Sequence, residues 1–460
     1  MNKNNKLSFL QTITYSSGNL ASMLINQVIV TWAIYFYAPG RAETHVPGAV
    51  ERFDFAPIVL LGYAMAFGRV VDAIADPLIG FWSDRTRSKW GRRIPFVAFG
   101  TPFLVLCFIA LWRPPQGTLE AVQSTLFSFS LGASDIAVTG GVVNTIYFAL
   151  VLGGFFFFYT VVVAPYLSLM PEIGRSNEER MSLSTWMAVF GIVGLIIASI
   201  VAPMIIGTTF QFMKMGMVMG AVTIVFFYVS ITFVREKAIE PGKEETFSFI
   251  QAMKETFKNN AFVTWVICIF MFWIGFNVVM QSTPYYVTKV LGETEDKAGI
   301  YQGIMMILSV PMFVAVFFAS KKFDKKTLIG LAMILLTALT PLFYFTKFVP
   351  AHLVKGYAIF VFGIMAVPIS VLLVMANAII ADIVDFDEQR TGRRREAMYF
   401  GMQGLLTKFA IAVSSVIGTQ LLARFGMTAA NPEGILLTGP FCAIFTFIGF
   451  LSILKYPLNK

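Results

Sequence analysis

Residues 70–93, VVDAIADPLIGFWSDRTRSKWGRR, join two segments of opposite character. The first half is apolar enough for a lipid bilayer, yet it contains Asp72 and Asp76, and the second half is dense in Arg and Lys. The i, i+4 spacing places both carboxylates on one face of a helix. Charge inside hydrocarbon is costly, and Lys and Arg mark the cytoplasmic ends of spans. The stretch therefore predicts a membrane-spanning helix with buried charge that ends in a cytoplasmic loop.

The composition of the whole chain is that of a membrane protein. Its 460 residues are 57% hydrophobic and 13% charged, with a mean hydropathy of +0.73, whereas soluble proteins carry about 25% charged residues. Apolar runs of 18 or more residues recur along the chain. We predict an all-α membrane protein with twelve transmembrane helices, approximately at 9–37, 56–82, 95–112, 141–170, 182–206, 214–234, 261–286, 299–319, 327–346, 356–381, 397–423 and 435–454.

The positive charge is distributed unevenly between the two sets of loops. The formal net charge is +9, and with both termini cytoplasmic that side holds 24 of the 35 Lys and Arg residues, while the other loops hold 9. This asymmetry follows the positive-inside rule and predicts cytoplasmic termini. Membrane topology explains the basic excess, so we expect an integral protein of the cell membrane that binds no nucleic acid.

A charged break at 235–260 divides the predicted spans six and six. We predict a six-helix bundle at 1–234, a cytoplasmic linker at 235–260 that ends in a short amphipathic helix, and a second six-helix bundle at 261–460. Such a division is typical of transporters with two similar bundles around a central cavity. The long loop at 113–140 is expected to cover the outer face.

Residue types that catalyse reactions or hold metals are scarce. The three cysteines (Cys107, Cys268 and Cys442) fall in apolar spans and are interpreted as small buried hydrophobic residues. The only two histidines lie in loops. Because no nucleophile–base pair or metal-ligand cluster is apparent, we expect no enzyme activity and no cofactor.

Four charged residues fall well inside predicted spans, away from the span ends. Asp72 lies about 15 Å from the cytoplasmic edge of its helix, roughly at the midplane of the bilayer. Two interpretations stay open for this set: a static salt-bridge cluster, or a cation site at which the two carboxylates hold Na⁺ or exchange a proton. The set consists of Arg69, Asp72, Asp76 and Lys408.

The basic loop is more ordered than topology alone requires. Gly80 and Gly91 are expected to allow close approach and turning, and Asp84 is placed to interact with a neighbouring helix N-terminus. The alternative is that the loop only holds positive charge on the cytoplasmic side. We predict a cytoplasmic gate composed of Asp84, Arg85, Arg92 and Arg93.

Four motifs in the right order resemble one transporter family. They are R-x-x-D-A-x-x-D-P at 69–77, T-R-S-K-W-G-R at 86–92, TVVVAPYLSLMPEI at 160–173, and the run ADIVDFDEQRTGRRREAMYFGMQGLLTK at 381–408. The chain resembles the glycoside–pentoside–hexuronide cation symporters, a branch of the major facilitator superfamily that includes the bacterial melibiose permease. The motifs span both halves of the chain.

The resemblance implies a major facilitator fold that works by alternating access. It assigns the cation site to Asp72, Asp76 and Thr160, and the coupling role to Lys408. The melibiose permease has an asparagine before its second aspartate, where this sequence has Ala75. One Na⁺ ligand is therefore missing, and H⁺ becomes a rival coupling ion.

The sugar-binding charges of the permease are replaced by Leu20, Val163 and, as best aligned, Thr185, and its tryptophan by Leu167. Melibiose itself is therefore not expected as the substrate. A sugar still needs several hydrogen-bonding groups, although a polar residue in a span is as often a contact between helices. The candidate substrate-binding residues are Asn19, Gln27, Tyr159, Tyr166, Asn277, Gln281 and Gln403. The aromatic run at 155–159 favours packing or lipid contact.

The function that we expect is symport of a sugar or glycoside with Na⁺ or H⁺ by a monomer surrounded by membrane lipids. A second possibility keeps the machinery but moves a lysophospholipid or other amphiphile, because an apolar fourth helix suits an acyl chain. A membrane enzyme or receptor that uses the cavity without transport is the rival from another class.

Overall fold

The computed structural model describes residues 7–40, 53–131, 134–174, 176–207, 209–234, 256–392 and 395–457. The chain forms two compact units. The first contains Met1–Glu240 and the short segment Thr294–Gly299, and the second contains Pro241–Glu293 and Ile300–Lys460.

The first unit is almost entirely helical. Its long helices pack mainly as the pairs α3 with α6, α4 with α6, and α2 with α7. In chain order its elements are α1 (Phe9–Ser16), α2 (Gly18–Tyr37), α3 (Ile58–Arg85), α4 (Ile94–Ala110), α5 (Leu119–Gln123), β1 (Thr125–Leu131), β2 (Ser134–Thr139), α6 (Gly140–Ile173), α7 (Asn177–Ile196), a π-helical turn (Ile197–Val201), α8 (Ala202–Ile206) and α9 (Phe212–Thr232).

The second unit is built in the same way. Its elements are α10 (Asn260–Tyr285), a π-helical turn (Tyr286–Val290), α11 (Glu295–Ala319), α12 (Lys325–Leu339), α13 (Leu342–Phe345), a 3₁₀ turn (Thr346–Phe348), α14 (Val354–Thr391), α15 (Glu396–Phe425), α16 (Glu433–Leu436) and α17 (Thr438–Leu454). The main packing pairs are α10 with α17, α10 with α15, and α12 with both α14 and α17. The first turn of α11 is grouped with the first unit.

Eleven helical segments of the described chain are long and apolar enough to cross a membrane. A shorter apolar helix, α4, lies at the third predicted span. Every predicted span thus coincides with a helix, which confirms the all-α membrane fold.

Side chains at the helix ends fix where several helices begin. Ser8 and Ser176 each form a capping box with the residue three positions later, Gln11 and Glu179. Such caps satisfy backbone N–H groups that have no partner inside the helix. Asp324 caps α12 by accepting a hydrogen bond from the Thr327 N–H, and the hydrogen bonds from Thr327 lower the pKa of the Asp324 carboxyl.

The turn between α3 and α4 follows the predicted chain reversal. Gly91 has a φ of 106°, a conformation that glycine adopts without steric cost, and α4 then begins with a proline in its first turn. The prediction for Gly80 is wrong in one respect: no described atom lies within 4 Å of a Cβ placed there, because Gly80 lies inside α3 on an open face.

Two predicted segments between spans had different outcomes. The 113–140 segment was expected to be a loop, but it contains α5 and an antiparallel hairpin of β1 and β2. The hairpin follows from the alternation of apolar and polar residues in TLFSFSL at 125–131. Most of the linker at 235–260, including most of its predicted amphipathic helix, lies outside the described residues.

Candidate functional site

Two carboxylates of α3 converge on one hydroxyl of α6. The Thr160 oxygen lies 2.8 Å from Oδ1 of Asp72 and 3.4 Å from Oδ1 of Asp76. Thr160 and Asp72 are buried, and Asp76 is half-buried. A hydroxyl carries one hydrogen and donates it to one carboxylate at a time, so the shorter distance favours Asp72. The three side chains that the resemblance assigned to a cation site are therefore neighbours.

Arg69 supplies the positive charge of this cluster. Its guanidinium lies 3.5 Å from Oδ2 of Asp72, and Nη2 donates to Oδ1 of Asn26 at 3.2 Å. The same guanidinium lies 4.1 Å from the centre of the Phe156 ring, which is a cation–π contact. Only 4% of Arg69 is exposed. A buried arginine with three different contacts is a fixed counter-charge for the carboxylates.

The sequence of α3 explains why these groups meet. Arg69, Asp72 and Asp76 are three and four residues apart, so they share one helix face. At Gly68 an added Cβ would lie 2.9 Å from the Phe156 ring, so the absence of a side chain lets α6 and its aromatic residues approach α3. Pro77 lies inside α3 and has no N–H, which leaves the carbonyl of Ala73 without its helical hydrogen bond.

The charge of the cluster determines what it can bind. Two carboxylates and one guanidinium give a formal charge of −1, which matches one monovalent cation or one proton. Carboxylate, hydroxyl and carbonyl oxygens are the ligands that hard cations prefer. Within the described ranges, no group of three or more His, Cys, Asp and Glu is arranged to hold a metal ion.

A stripe of polar residues on α2 completes the polar centre. Asn19, Ser22 and Asn26 are three and four residues apart, which places them on one face. The Ser22 hydroxyl lies 2.7 Å from the Tyr159 hydroxyl, next to Thr160 in sequence. The sequence prediction included Asn19 and Tyr159 but missed Ser22 and Asn26. The signal that was available was the helical spacing of this stripe in an otherwise apolar span.

The other candidate substrate-binding residues of the first unit form hydrogen bonds with groups of the protein. Asn19 Nδ2 donates to the Met187 carbonyl on α7 at 2.8 Å, and Gln27 Nε2 donates to Thr31 Oγ1 at 3.1 Å. Tyr166 is fully buried, and its hydroxyl donates to the Tyr15 carbonyl at 2.9 Å. The structure thus brings Tyr159 to the charged cluster and gives Asn19, Gln27 and Tyr166 contacts within or between helices.

The second unit has a polar centre whose described hydrogen bonds involve no carboxylate. Gln281 on α10 donates through Nε2 to Ser415 Oγ at 3.2 Å and to Ser414 Oγ at 3.4 Å, both on α15. One helix pair thus shares a neutral amide and two hydroxyls.

The remaining candidates of the second unit are spread along the same helices. Gln403 Oε1 accepts from the Trp265 indole at 2.7 Å, and Asn277 Nδ2 donates to the Trp273 carbonyl at 2.8 Å. Lys408, the predicted coupling residue, lies on α15 and is half-buried.

Two of the predicted gate residues, Arg92 and Arg93, lie where α4 begins and contact the end of α6. Arg92 and Arg93 both form ion pairs with the Glu172 carboxylate, at 2.7 Å for Arg93 Nη1. Only 7% of the Glu172 side chain is exposed. Arg93 also donates to the Ser168 carbonyl. These contacts tie α4 to α6.

The other two gate residues differ from this pair. The exposed Arg85 guanidinium lies 3.8 Å from the Phe81 ring centre, on its own helix. The predicted contact of Asp84 with a helix N-terminus falls on a side chain outside the described part of the structure.

The second unit has a counterpart to the Glu172 cluster. Lys325, the first residue of α12, lies 2.6 Å and 2.7 Å from the carboxylate oxygens of Asp382 on α14. Both side chains are about 30% exposed, at 29% and 30%. An ion pair therefore also joins two helices of the second unit, but its side chains are more exposed to solvent than that of Glu172.

The family whose description is MFS/sugar transport protein matches residues 14–460 of this sequence. This chain belongs to that family. The match confirms the resemblance found in the motifs, and it makes the protein a symporter of the major facilitator superfamily rather than an enzyme.

Two relatives of this chain are named for different substrates. The isoprimeverose transporter of Lactiplantibacillus pentosus is 20% identical over 93% of this transporter and 83% of the relative. The sodium-dependent lysophosphatidylcholine symporter 1 of Xenopus tropicalis is 22% identical over 92% of this transporter and 86% of the relative. The identities to a sugar transporter and to a lysolipid symporter are similar, so overall sequence similarity does not favour either substrate. The residues of the site have to be considered instead.

A solved structure confirms the major facilitator fold. The crystal structure of a D-xylose-proton symporter matches with a TM-score of 0.67 and 16% identity, and the match covers 98% of each chain. At this identity the likeness is evidence for the fold alone.

Proposed function

We propose that this transporter imports a sugar or glycoside together with one Na⁺ or H⁺, and that the cation binds between Asp72, Asp76 and Thr160. The observation that supports the proposal is the convergence of two α3 carboxylates on the Thr160 hydroxyl beside the buried Arg69. Ionisable groups inside the membrane are expensive to keep, so their presence favours a functional role.

The cation balances the formal charge of −1 that Asp72, Asp76 and Arg69 carry together. Burying net charge away from water is unfavourable, so binding of the cation stabilises conformations in which water is excluded. Substrate binding then favours the exchange between outward-open and inward-open states. We also propose that Lys408 is the coupling lysine and that both termini lie on the cytoplasmic side.

A neutral sugar is the substrate class favoured by the family description and by the neutral amide and hydroxyl groups of the second unit. The second candidate is a lysophospholipid. It is favoured by the lysophosphatidylcholine relative and by Val163 and Leu167 on α6, where the melibiose permease carries an acid and a tryptophan.

Transport by the purified protein in liposomes tests the proposal. Uptake of radiolabelled isoprimeverose, lactose or lysophosphatidylcholine is measured with an inward Na⁺ gradient at equal pH, and then with a pH gradient in the absence of Na⁺. Asp76→Asn is compared with Asp324→Asn, which makes the same chemical change at an exposed helix cap where asparagine is also accepted.

We expect one gradient to drive accumulation in the wild type and in Asp324→Asn, and neither gradient to do so in Asp76→Asn. Gradient-driven accumulation that is undiminished in Asp76→Asn would contradict the assignment of the cation site. If lysophosphatidylcholine accumulates and none of the sugars does, the second substrate class replaces the first.

A further inference from the structure

Gln281 lies in a buried hydrogen-bond network of the second unit. Its Nε2 atom is 3.2 Å from Ser415 Oγ and 3.4 Å from Ser414 Oγ. Gln281 is 5% exposed, and both serines are fully buried. The network ties α10 to α15, but it uses only one end of the glutamine amide.

The hydrogen bonds of the two serines fix which end that is. Both hydroxyls donate to the Ile411 carbonyl, at 2.7 Å from Ser414 and 3.0 Å from Ser415. Each hydroxyl carries one hydrogen, so both serines present only lone pairs to Gln281. The amide must therefore turn its NH₂ group towards them, and its oxygen points elsewhere.

The Oε1 atom of Gln281 accepts no hydrogen bond from any residue that the structure describes. A buried carbonyl oxygen of this kind usually has a donor. On α15, Gly418 is one helical turn beyond Ser414 and Ser415. Apart from the chain neighbours and the nearby backbone of α15 itself, Gln281 Oε1 is the one described atom within 4 Å of a Cβ placed at Gly418, at 3.9 Å. Oε1 therefore faces a place where α15 has no side chain.

We propose that Gln281 Oε1 and the gap at Gly418 form a subsite for a hydroxyl group of a neutral, polyhydroxylated substrate. The inference rests on the proposed sugar transport and names one contact within it. An amide oxygen accepts, so the ligand must donate. A sugar carries several hydroxyl donors, whereas lysophosphatidylcholine carries a single one, on its glycerol.

Two variants test the subsite and leave the hydrogen bonds of both serines to Ile411 in place. Gln281→Met keeps the length of the side chain and removes the acceptor, and both serine hydrogens keep their bond to Ile411. Gly418→Ser places a hydroxyl close enough to donate to Oε1 and to replace the ligand. Gly418→Ala is the matched control, because it adds the same Cβ without a donor.

The measurements use the purified full-length transporter with saturating coupling ion. Thermal shift gives the apparent Kd for isoprimeverose, D-xylose, lactose and lysophosphatidylcholine, and the Tm without any of these probes. We expect Gln281→Met and Gly418→Ser to weaken sugar binding at least tenfold, and Gly418→Ala to weaken it less. The Tm without sugar should be unchanged or higher in the first two variants, and the stabilisation by the coupling ion should stay unchanged in all of them.

Failure of the subsite and failure of the proposed sugar transport give different results. If the wild type binds a sugar and both Gln281→Met and Gly418→Ser bind it equally well, Oε1 holds only water and the subsite is refuted. If the wild type binds lysophosphatidylcholine and no sugar, both proposals fail. A lower Tm with unchanged sugar affinity in Gln281→Met would assign the glutamine a purely structural role.

Discussion

The polar centres of the two units differ in charge. In the first unit, Asp72, Asp76 and Arg69 meet around Thr160, whereas in the second unit Gln281 meets two serines. Both arrangements place polar groups between apolar helices. Charged groups attract an ion, and neutral groups select hydrogen-bond donors and acceptors by direction. We therefore expect different substitutions to alter ion binding and substrate recognition.

The largest expected effect breaks the charged centre itself. Asp72→Asn should abolish cation-dependent uptake and lower the free energy of unfolding by about 3–5 kcal/mol, because it leaves Arg69 buried without its closest carboxylate. Tm and liposome uptake are measured together. The double variant Asp72→Asn with Arg69→Met should recover much of the Tm and none of the uptake. Recovery of both would mean that the cluster is only a structural salt bridge.

A smaller effect is expected from the two helix-end ion pairs. Glu172→Gln should lower the free energy of unfolding by about 3 kcal/mol, because Glu172 is nearly buried between two arginines. Asp382→Asn should lower it by about 0.2–1 kcal/mol, since this pair is about one-third exposed. Chemical denaturation in the same detergent compares the two variants. Equal losses would show that exposure does not separate the two pairs.

Tyr159→Phe tests the border of the charged centre. It removes the hydrogen bond to Ser22 and should cost about 1 kcal/mol, with cation coupling retained. Ser22→Ala removes the other partner and is the matched variant. Coupling lost in Tyr159→Phe but kept in Ser22→Ala would place the Tyr159 hydroxyl among the groups that handle the ion.

The smallest effect concerns Asp324 at the start of α12. Its pKa in the folded protein is lowered, chiefly by the hydrogen bonds from Thr327. A lowered folded pKa gives stability above the unfolded pKa, and this stability is lost as the pH falls through the folded pKa. Asp324→Asn should therefore flatten the dependence of Tm on pH in the acidic range and change Tm little at pH 7. An unchanged pH profile would contradict the role of this carboxylate.

The sequence predicted the fold and the charged part of the site for physical reasons. Long apolar runs have few structures available to them in a bilayer, and a carboxylate in such a run stands out against its surroundings. Asp72 and Asp76 were found in this way, and Thr160 was found through the motif resemblance.

Other features depended on packing that one sequence does not reveal. Asn26 and Ser22 became part of the site only because α2 turns one face towards Arg69 and Tyr159. The direction of the Gln281 amide depends on two serines more than 130 residues away. The alternating pattern of residues 125–131 is typical of a strand. The glycine and serine content of the whole segment nevertheless favoured the prediction of a loop.

The burial of Arg69 has a consequence for the energy source of transport. Asn26 and the Phe156 ring hold this arginine in place, so the charges of the cluster stay with the protein and the net charge moved is that of the cation and the substrate. With an uncharged substrate, each cycle then carries one positive charge inwards, and an inside-negative voltage of 100 mV contributes about 2.3 kcal/mol to uptake. Uptake should therefore produce an electrical current.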